Sequence, residues 1–256
     1  MAKGSRGGRR GTGGGGGLQI GTATPQQAQK IIQSLADGDT VSYSDFMSLT
    51  DDEKADAIST IIGQGIPNFL DDSEFQKILY YTEVDGKPQT ASDSALDGMK
   101  GTDLFRTVNS YYNARTDVNY TAKEIYNQIV GGDFTMVSGR GGSAYGKGIY
   151  FADNYSSSAG YRNSTTPGKS LIMRAKLNSN ARVISYSSVQ RGLSRERQSG
   201  SKLGQVLRRM NTDSAESTYA LCKGYNAVDR GGYWVILDRS ALTMSTKTKT
   251  PTGYNW

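Results

Sequence analysis

Tyr145-Gly-Lys-Gly-Ile-Tyr-Phe-Ala-Asp-Asn-Tyr-Ser-Ser-Ser-Ala-Gly-Tyr161 decides how the rest of the chain is read. Gly146 and Gly148 flank Lys147, and Ile149-Tyr150-Phe151 then reads as a short buried strand. Asn154 and Ser156 offer helix caps, and Ser158 and Tyr161 follow at a spacing of three. A helix over 156–162 places Ser158 and Tyr161 on one face, turned back over Tyr150. Two aromatic faces and a hydroxyl then bound a slot the size of a flat ring. Such rings are held by π-faces and fixed in rotation by one or two hydrogen bonds. The bland reading makes Tyr150 and Phe151 alternating strand residues with Tyr161 packed on them. The glycines, the strand and the Ser158–Tyr161 spacing agree with one another, and that agreement favours the slot.

Strand and helix signals surround this stretch. Leu104–Val108, Phe134–Val137, Gly148–Asp153, Ser170–Leu177 and Arg182–Tyr186 read as strands, with Ala227–Asp229, Tyr233–Asp238 and Leu242–Ser245 closing the chain. Thr121 and Glu124 cap a helix over 121–130, and Leu203–Met210 and Ser214–Cys222 read as helices. Many short strands among few helices predict an α+β domain with a largely antiparallel sheet. The loop Gly139-Arg-Gly-Gly142 reads as a flexible connection before a phosphate cradle. Arg191, Arg195, Arg197, Lys202, Arg208 and Arg209 read as a solvated helix face, and Trp234 as core.

Upstream, Thr24-Pro25 opens a helix over 25–36 with Ala28, Ile31, Ile32 and Leu35 as its apolar stripe. Thr50 and Glu53 form a capping box, and Asp71 with Glu74 introduces a helix through Tyr81. Residues 1–17 are a Gly/Arg tail with the composition of a disordered segment. RGG-like tails can touch nucleic acid; a solvated tether is the simpler reading. The expected organisation is a tail at 1–20, a helical region at 21–100 and the main domain at 101–256.

Of 256 residues, 30 are Lys or Arg and 24 Asp or Glu, giving +6. Lys3, Arg6, Arg9 and Arg10 supply four of those charges, so the body is close to neutral and does not read as a nucleic-acid-binding domain. Cys222 is the single cysteine and histidine is absent. A histidine triad, a histidine general base and a Cys/His zinc site are therefore excluded, and no metal is expected. No apolar run approaches the ~20 residues of a membrane span. The composition fits a reducing compartment.

Gly146–Asp153 with Ser158, Ala159 and Tyr161 resembles the nicotinamide-pocket signature of the ADP-ribosyltransferase superfamily, nearest its poly(ADP-ribose) polymerase branch. Leu104-Phe-Arg106-Thr107 resembles that family's first core strand, where a His or Arg sits. Leu171–Leu177 with Arg182-Val-Ile, and Gly224–Asp238, resemble later strands. The resemblance covers roughly residues 101–248. It implies an α+β split antiparallel sheet with flanking helices. It implies that Tyr150 and Tyr161 sandwich the nicotinamide of NAD⁺, with Gly148 in the same pocket. Ser158 and the backbone of Thr107, where the polymerases usually carry glycine, would hold the carboxamide. Arg106 would support the phosphate or ribose of NAD⁺.

Such enzymes break the bond between nicotinamide and ribose, and a carboxylate helps stabilise the oxocarbenium-like ribose. Here the resemblance fails at one point: Gly232 or Tyr233 stands where the family's glutamate belongs. Asp229 is the replacement acid in this reading, making the catalytic set Arg106, Tyr150 and Asp229. The expected function is mono-ADP-ribosyl transfer from NAD⁺ to a macromolecular acceptor, with protein the expected class. The alternative is a non-catalytic NAD⁺- or ADP-ribose-binding virion or interaction protein. The layout is similar to bacteriophage-encoded transferases, implying a bacterial cytoplasm or a virion.

Overall fold

The computed structural model describes residues 20–66, 73–84, 86–113, 118–131 and 148–251, and for 111–113 and 118 the backbone alone. The tail, Asp71, the strand expected at 134–137, the loop 139–142 and residues 145–147 lie outside them.

The described residues form an α+β structure around one mixed eight-stranded sheet. In chain order its strands are β1 (Gln89–Ala91), β2 (Gly101–Asn109), β5 (Ile149–Ala152), β6 (Ser170–Asn178), β7 (Val183–Ser185), β8 (Ala227–Asp229), β9 (Tyr233–Ile236) and β10 (Leu242–Lys249). A separate hairpin pairs β3 (Tyr111–Asn113) with β4 (Val118–Tyr120). The sheet order is β1-β10-β6-β2-β5-β9-β8-β7. Both outermost pairings, β1 with β10 and β7 with β8, are parallel, and those between are antiparallel. The antiparallel expectation therefore holds for the interior and fails at the edges. β1 and β7 reach the sheet through crossover connections, which three-residue strands hardly announce in sequence.

Helices α1 (Pro25–Ala36), α2 (Tyr43–Ser48), α3 (Asp51–Ile62) and α4 (Glu74–Tyr81) precede the sheet. α5 (Asp93–Gly98), α6 (Ala122–Gly131) and α7 (Tyr155–Ala159) lie between its strands. α8 (Tyr186–Gln198), α9 (Lys202–Arg209) and α10 (Thr212–Cys222) form the segment between β7 and β8. α3 starts at the capping box the sequence predicts, and α1 opens at Thr24-Pro25 as expected, with a capping box of Thr24 and Gln27 found in the structure. α4 is capped by Ser73 with Gln76, two residues later than the expected Asp71 and Glu74. Tyr186, expected at a strand end, opens α8 because Ser185 accepts from the Ser188 N–H and caps the helix there. α8 has only Val189 and Leu193 buried, one i,i+4 pair on an otherwise polar helix, so its periodicity is faint.

The region 21–100 shares a core with the rest. Leu35, Phe46, Ile58 and Leu79 belong to the same buried apolar cluster as Leu104, Met173, Leu207 and Ile236. α3 packs on α9 and α4 on α10. No helix among the described residues is long and apolar enough to cross a membrane.

Candidate functional site

β2 organises the site because its two faces do different work. Leu104 and Val108 enter the main core, while Phe105 joins a second apolar cluster with Tyr155, Ala159 and Ile172. That second cluster seats α7 on the sheet, with the Phe105 and Tyr155 rings edge to face at 6.1 Å. Alternation then puts Thr107 and Asn109 on the α7 face as well.

The sheet splits beside this face. β2 pairs with β6 over nine positions, but with β5 at one, Phe105 opposite Ala152. The two strands part beyond that bridge, and the split is where Arg106 and Tyr150 meet. Arg106 Nη1 donates to the Tyr150 carbonyl at 2.7 Å, in the place of the missing ladder bond. Its Nε is buried without a hydrogen-bond partner among the described residues, and no carboxylate there pairs with it. Burial pushes the Arg106 pKa down to about 10, with the neighbouring Tyr150 acting in the opposite sense. A desolvated guanidinium with a spare donor is suited to an anionic or oxygen-rich ligand.

Tyr150 shares the face of Ala152 and Phe105, and so looks toward α7. Thr107 reaches α7 directly: its Oγ1 donates to the Ser158 carbonyl at 2.6 Å and lies 3.2 Å from Ser158 Oγ. Ser158 is 2% exposed. Asn109 extends the same clamp. Its Nδ2 donates to the Tyr161 carbonyl at 2.9 Å, and its Oδ1 accepts from Asn163 N and Ser170 Oγ.

The helix expected over 156–162 starts and stops earlier. Asn154 caps it by accepting from the Ser157 N–H, and Gly160 ends it. Tyr161 thus lies beyond the helix, 59% exposed, with its N–H bonded to the Ser158 carbonyl. Its ring stands edge-on to Tyr233 at 6.2 Å. Gly148 has φ +153°, and a Cβ there would sit 2.7 Å from the Ile236 carbonyl oxygen. Glycine is thus required for β5 to enter beside β9.

The β8–β9 hairpin closes the far side. Tyr233 pairs with Ala152 and shares the Tyr150 face. Asp229 pairs with Trp234, which pairs with Phe151, so Asp229 projects from the opposite face. Its Oδ1 accepts from the Gly231 N–H at 2.8 Å, closing the hairpin turn. The structure therefore brings Thr107, Tyr150, Ser158 and Tyr161 to the α7 side, with Gly148 at the entry to β5. Arg106 alternates onto the Leu104 and Val108 face and reaches the split only through the Tyr150 carbonyl, and Asp229 lies on the face opposite Tyr150. Behind the turn, the Arg230 guanidinium stacks 3.2 Å from the Tyr186 ring centroid. The Tyr186 hydroxyl donates to Glu216, which is buried on α10. This tie holds the hairpin.

Asn109 is the site residue that sequence reading missed; Tyr233, already placed at the glutamate position by sequence, shares the Tyr150 face. The alternation Phe105, Thr107, Asn109 could have exposed the first; the face of the second needs the β5–β9 register. Among the described residues no group of three His, Cys, Asp or Glu side chains is arranged to hold a metal ion. Comparison with protein-family models, curated proteins and solved structures gave no match.

Proposed function

We propose that the chain carries an ADP-ribosyltransferase-like domain that takes NAD⁺ into the split between β2 and β5 and transfers single ADP-ribose units to a macromolecular acceptor. The observation that supports this reading is the convergence of Thr107, Tyr150, Ser158 and Tyr161 on the α7 face. They gather beside a half-buried guanidinium, Arg106, that has no carboxylate partner among the described residues. Tyr150 stacks on the nicotinamide ring, and Ser158 and the Thr107 backbone bind its carboxamide. Arg106 takes the phosphate or ribose oxygens through its remaining donors. Holding the ring and the diphosphate apart favours departure of neutral nicotinamide and development of positive charge on the ribose.

A second reading rests on Tyr233. A phenol, not a carboxylate, shares the slot face where the resemblance expects glutamate, and Asp229 faces away. That arrangement suits a domain that binds NAD⁺ or ADP-ribose without turning it over.

One experiment separates the readings. The full chain is incubated with NAD⁺ labelled in its adenylate half, with and without bacterial lysate, and nicotinamide release and label transfer are measured. Both signals are expected, and Tyr150→Ala should reduce them by ~10-fold or more through lost stacking. NAD⁺ binding without release would establish the second reading, and absence of binding would overturn both.

A further inference from the structure

The near-neutral balance of the body hides a separation of charge. Residues 21–100 hold 14 Asp or Glu against 5 Lys, and residues 101–256 hold 21 Lys or Arg against 10 Asp or Glu, leaving −9 and +11. The densest cationic stretch is 191–209, where Arg191, Arg195, Arg197, Lys202, Arg208 and Arg209 face Glu196 alone. Some of these have local duties. Arg197 donates twice to the Leu207 carbonyl and Arg208 to the Arg197 carbonyl, which suits cations at helix C-termini, and Lys202 pairs with Asp56. Glu196 is taken by Lys223 and the Ser201 hydroxyl. The others are unspent. Arg191 stands mid-helix and touches only the Ser188 hydroxyl, and the Arg195 and Arg209 guanidinium groups bond nothing among the described residues. Arg191 and Arg195 lie one turn apart on the outer face of α8, opposite buried Val189 and Leu193. The bond from Arg208 brings a third guanidinium to the last turn of that helix. Gly204 permits the crossing, since a Cβ there would collide with the Glu196 carbonyl oxygen. Between 187 and 212 every exposed residue is basic or uncharged.

We propose that the outer face of α8, with the end of α9, docks a DNA duplex through its phosphates, using Arg191, Arg195, Arg208 and Arg209. Charge complementarity selects a polyanion, because no exposed carboxylate on this face competes for the arginines or repels phosphate. Gln190, Ser194 and Gln198 interleave neutral donors of the kind that position a backbone. A single strand calls for rings on which its bases stack, and the stretch 187–212 contains no aromatic residue. A helix face meets B-form DNA, with its wide major groove, more readily than duplex RNA, whose major groove is deep and narrow. The excess of carboxylates over 21–100 disfavours approach by the helical region and so helps to orient the duplex. Nothing in this inference depends on the occupant of the slot between β2 and β5.

The test is fluorescence anisotropy of a labelled DNA duplex of about 20 base pairs, titrated with the full chain at salt from about 50 to 200 mM. Contact with four phosphates predicts an affinity that falls ~100-fold across that range. Arg191→Gln combined with Arg195→Gln should weaken binding at least ~10-fold and flatten the salt dependence by about two phosphates' worth. Both side chains are exposed, and circular dichroism checks that the variant folds. Lys247→Gln with Lys249→Gln removes equal charge from β10, near the sheet edge remote from β7, and should change affinity less than ~3-fold. Equal weakening by the two pairs would mean diffuse attraction and overturn the docking face. So would binding that ignores the Arg191 and Arg195 pair and is lost on Arg6→Gln, Arg9→Gln and Arg10→Gln, which would assign it to the tail. Polyglutamate or single-stranded RNA bound as tightly as the duplex overturns the choice of DNA, and no binding at the lowest salt overturns the whole proposal.

Discussion

Two residues of the opening motif have structural duties that their chemistry alone does not announce. Gly148 reads as part of a ligand loop, yet its backbone sits at φ +153° with the Ile236 carbonyl where a Cβ would go. Gly148→Ala should therefore cost at least about 2 kcal/mol, combining backbone strain with a clash against backbone that cannot move aside. Urea denaturation followed by circular dichroism measures this; a loss under 0.5 kcal/mol would show that β5 can enter another way. Along the sequence Asp229 is the nearest carboxylate to the missing glutamate, but which face it takes depends on a strand register that one sequence does not display. Its bond to the Gly231 N–H explains instead why an Asp stands before a Gly-Gly turn.

At the level of elements, the strands around the split were legible because their signals are local. β2, β5 and β6 show apolar runs bounded by glycine or polar residues, and α1, α3 and α6 begin with paired caps. What escaped was how elements are held to one another. α7 is one turn and a half long and could not hold its own shape in isolation. It is seated by Phe105 below and clamped beyond its end by Asn109, which bonds three partners from 161 to 170. Asn109→Ala removes all three bonds. It should lower global stability by about 1–3 kcal/mol and raise amide hydrogen exchange over 158–170 more than in β6 or α10. Uniform acceleration across the chain would mean that the clamp has no local role. Since the same clamp places Tyr161 beside Tyr233, its loss should also weaken NAD⁺ binding if the slot is used as proposed.

For the whole molecule, the contrast between a helical region and a main domain was a difference of sequence texture, and packing crosses it. Lys54 of α3 is fully buried, donates to the Cys222 carbonyl at 3.0 Å and lies 3.8 Å from Asp51. Lys223, capping the C-terminus of α10, pairs with Asp51 at 2.5 Å and with Glu196 of α8 at 3.3 Å. Such a seam could not be read from sequence, since its two halves, residues 51–54 and 196–223, are separated by more than a hundred residues. Its titration nevertheless gives a test of whether both regions unfold together. Burial pushes the Cys222 thiol up from 9.0 to about 12, so the unfolded chain loses its proton first. Between pH 9 and 12 the folded state binds more protons than the unfolded state, and stability falls as pH rises, by at most about 4 kcal/mol. Burial shifts Lys54 the other way, below its ordinary 10.5. The unfolded state there binds more protons, so that group makes stability rise toward pH 10.5. Subtracting the urea unfolding free energy of Cys222→Ala from that of wild type at each pH leaves the titration of Cys222 together with its coupling to Lys54 and Tyr43. The difference should decline steadily from pH 9 to 10.5. That decline requires Cys222 to stay desolvated until the whole chain unfolds. A flat difference would mean that α3 leaves α10 before the sheet opens, and that the helical region and the sheet are separate cooperative units.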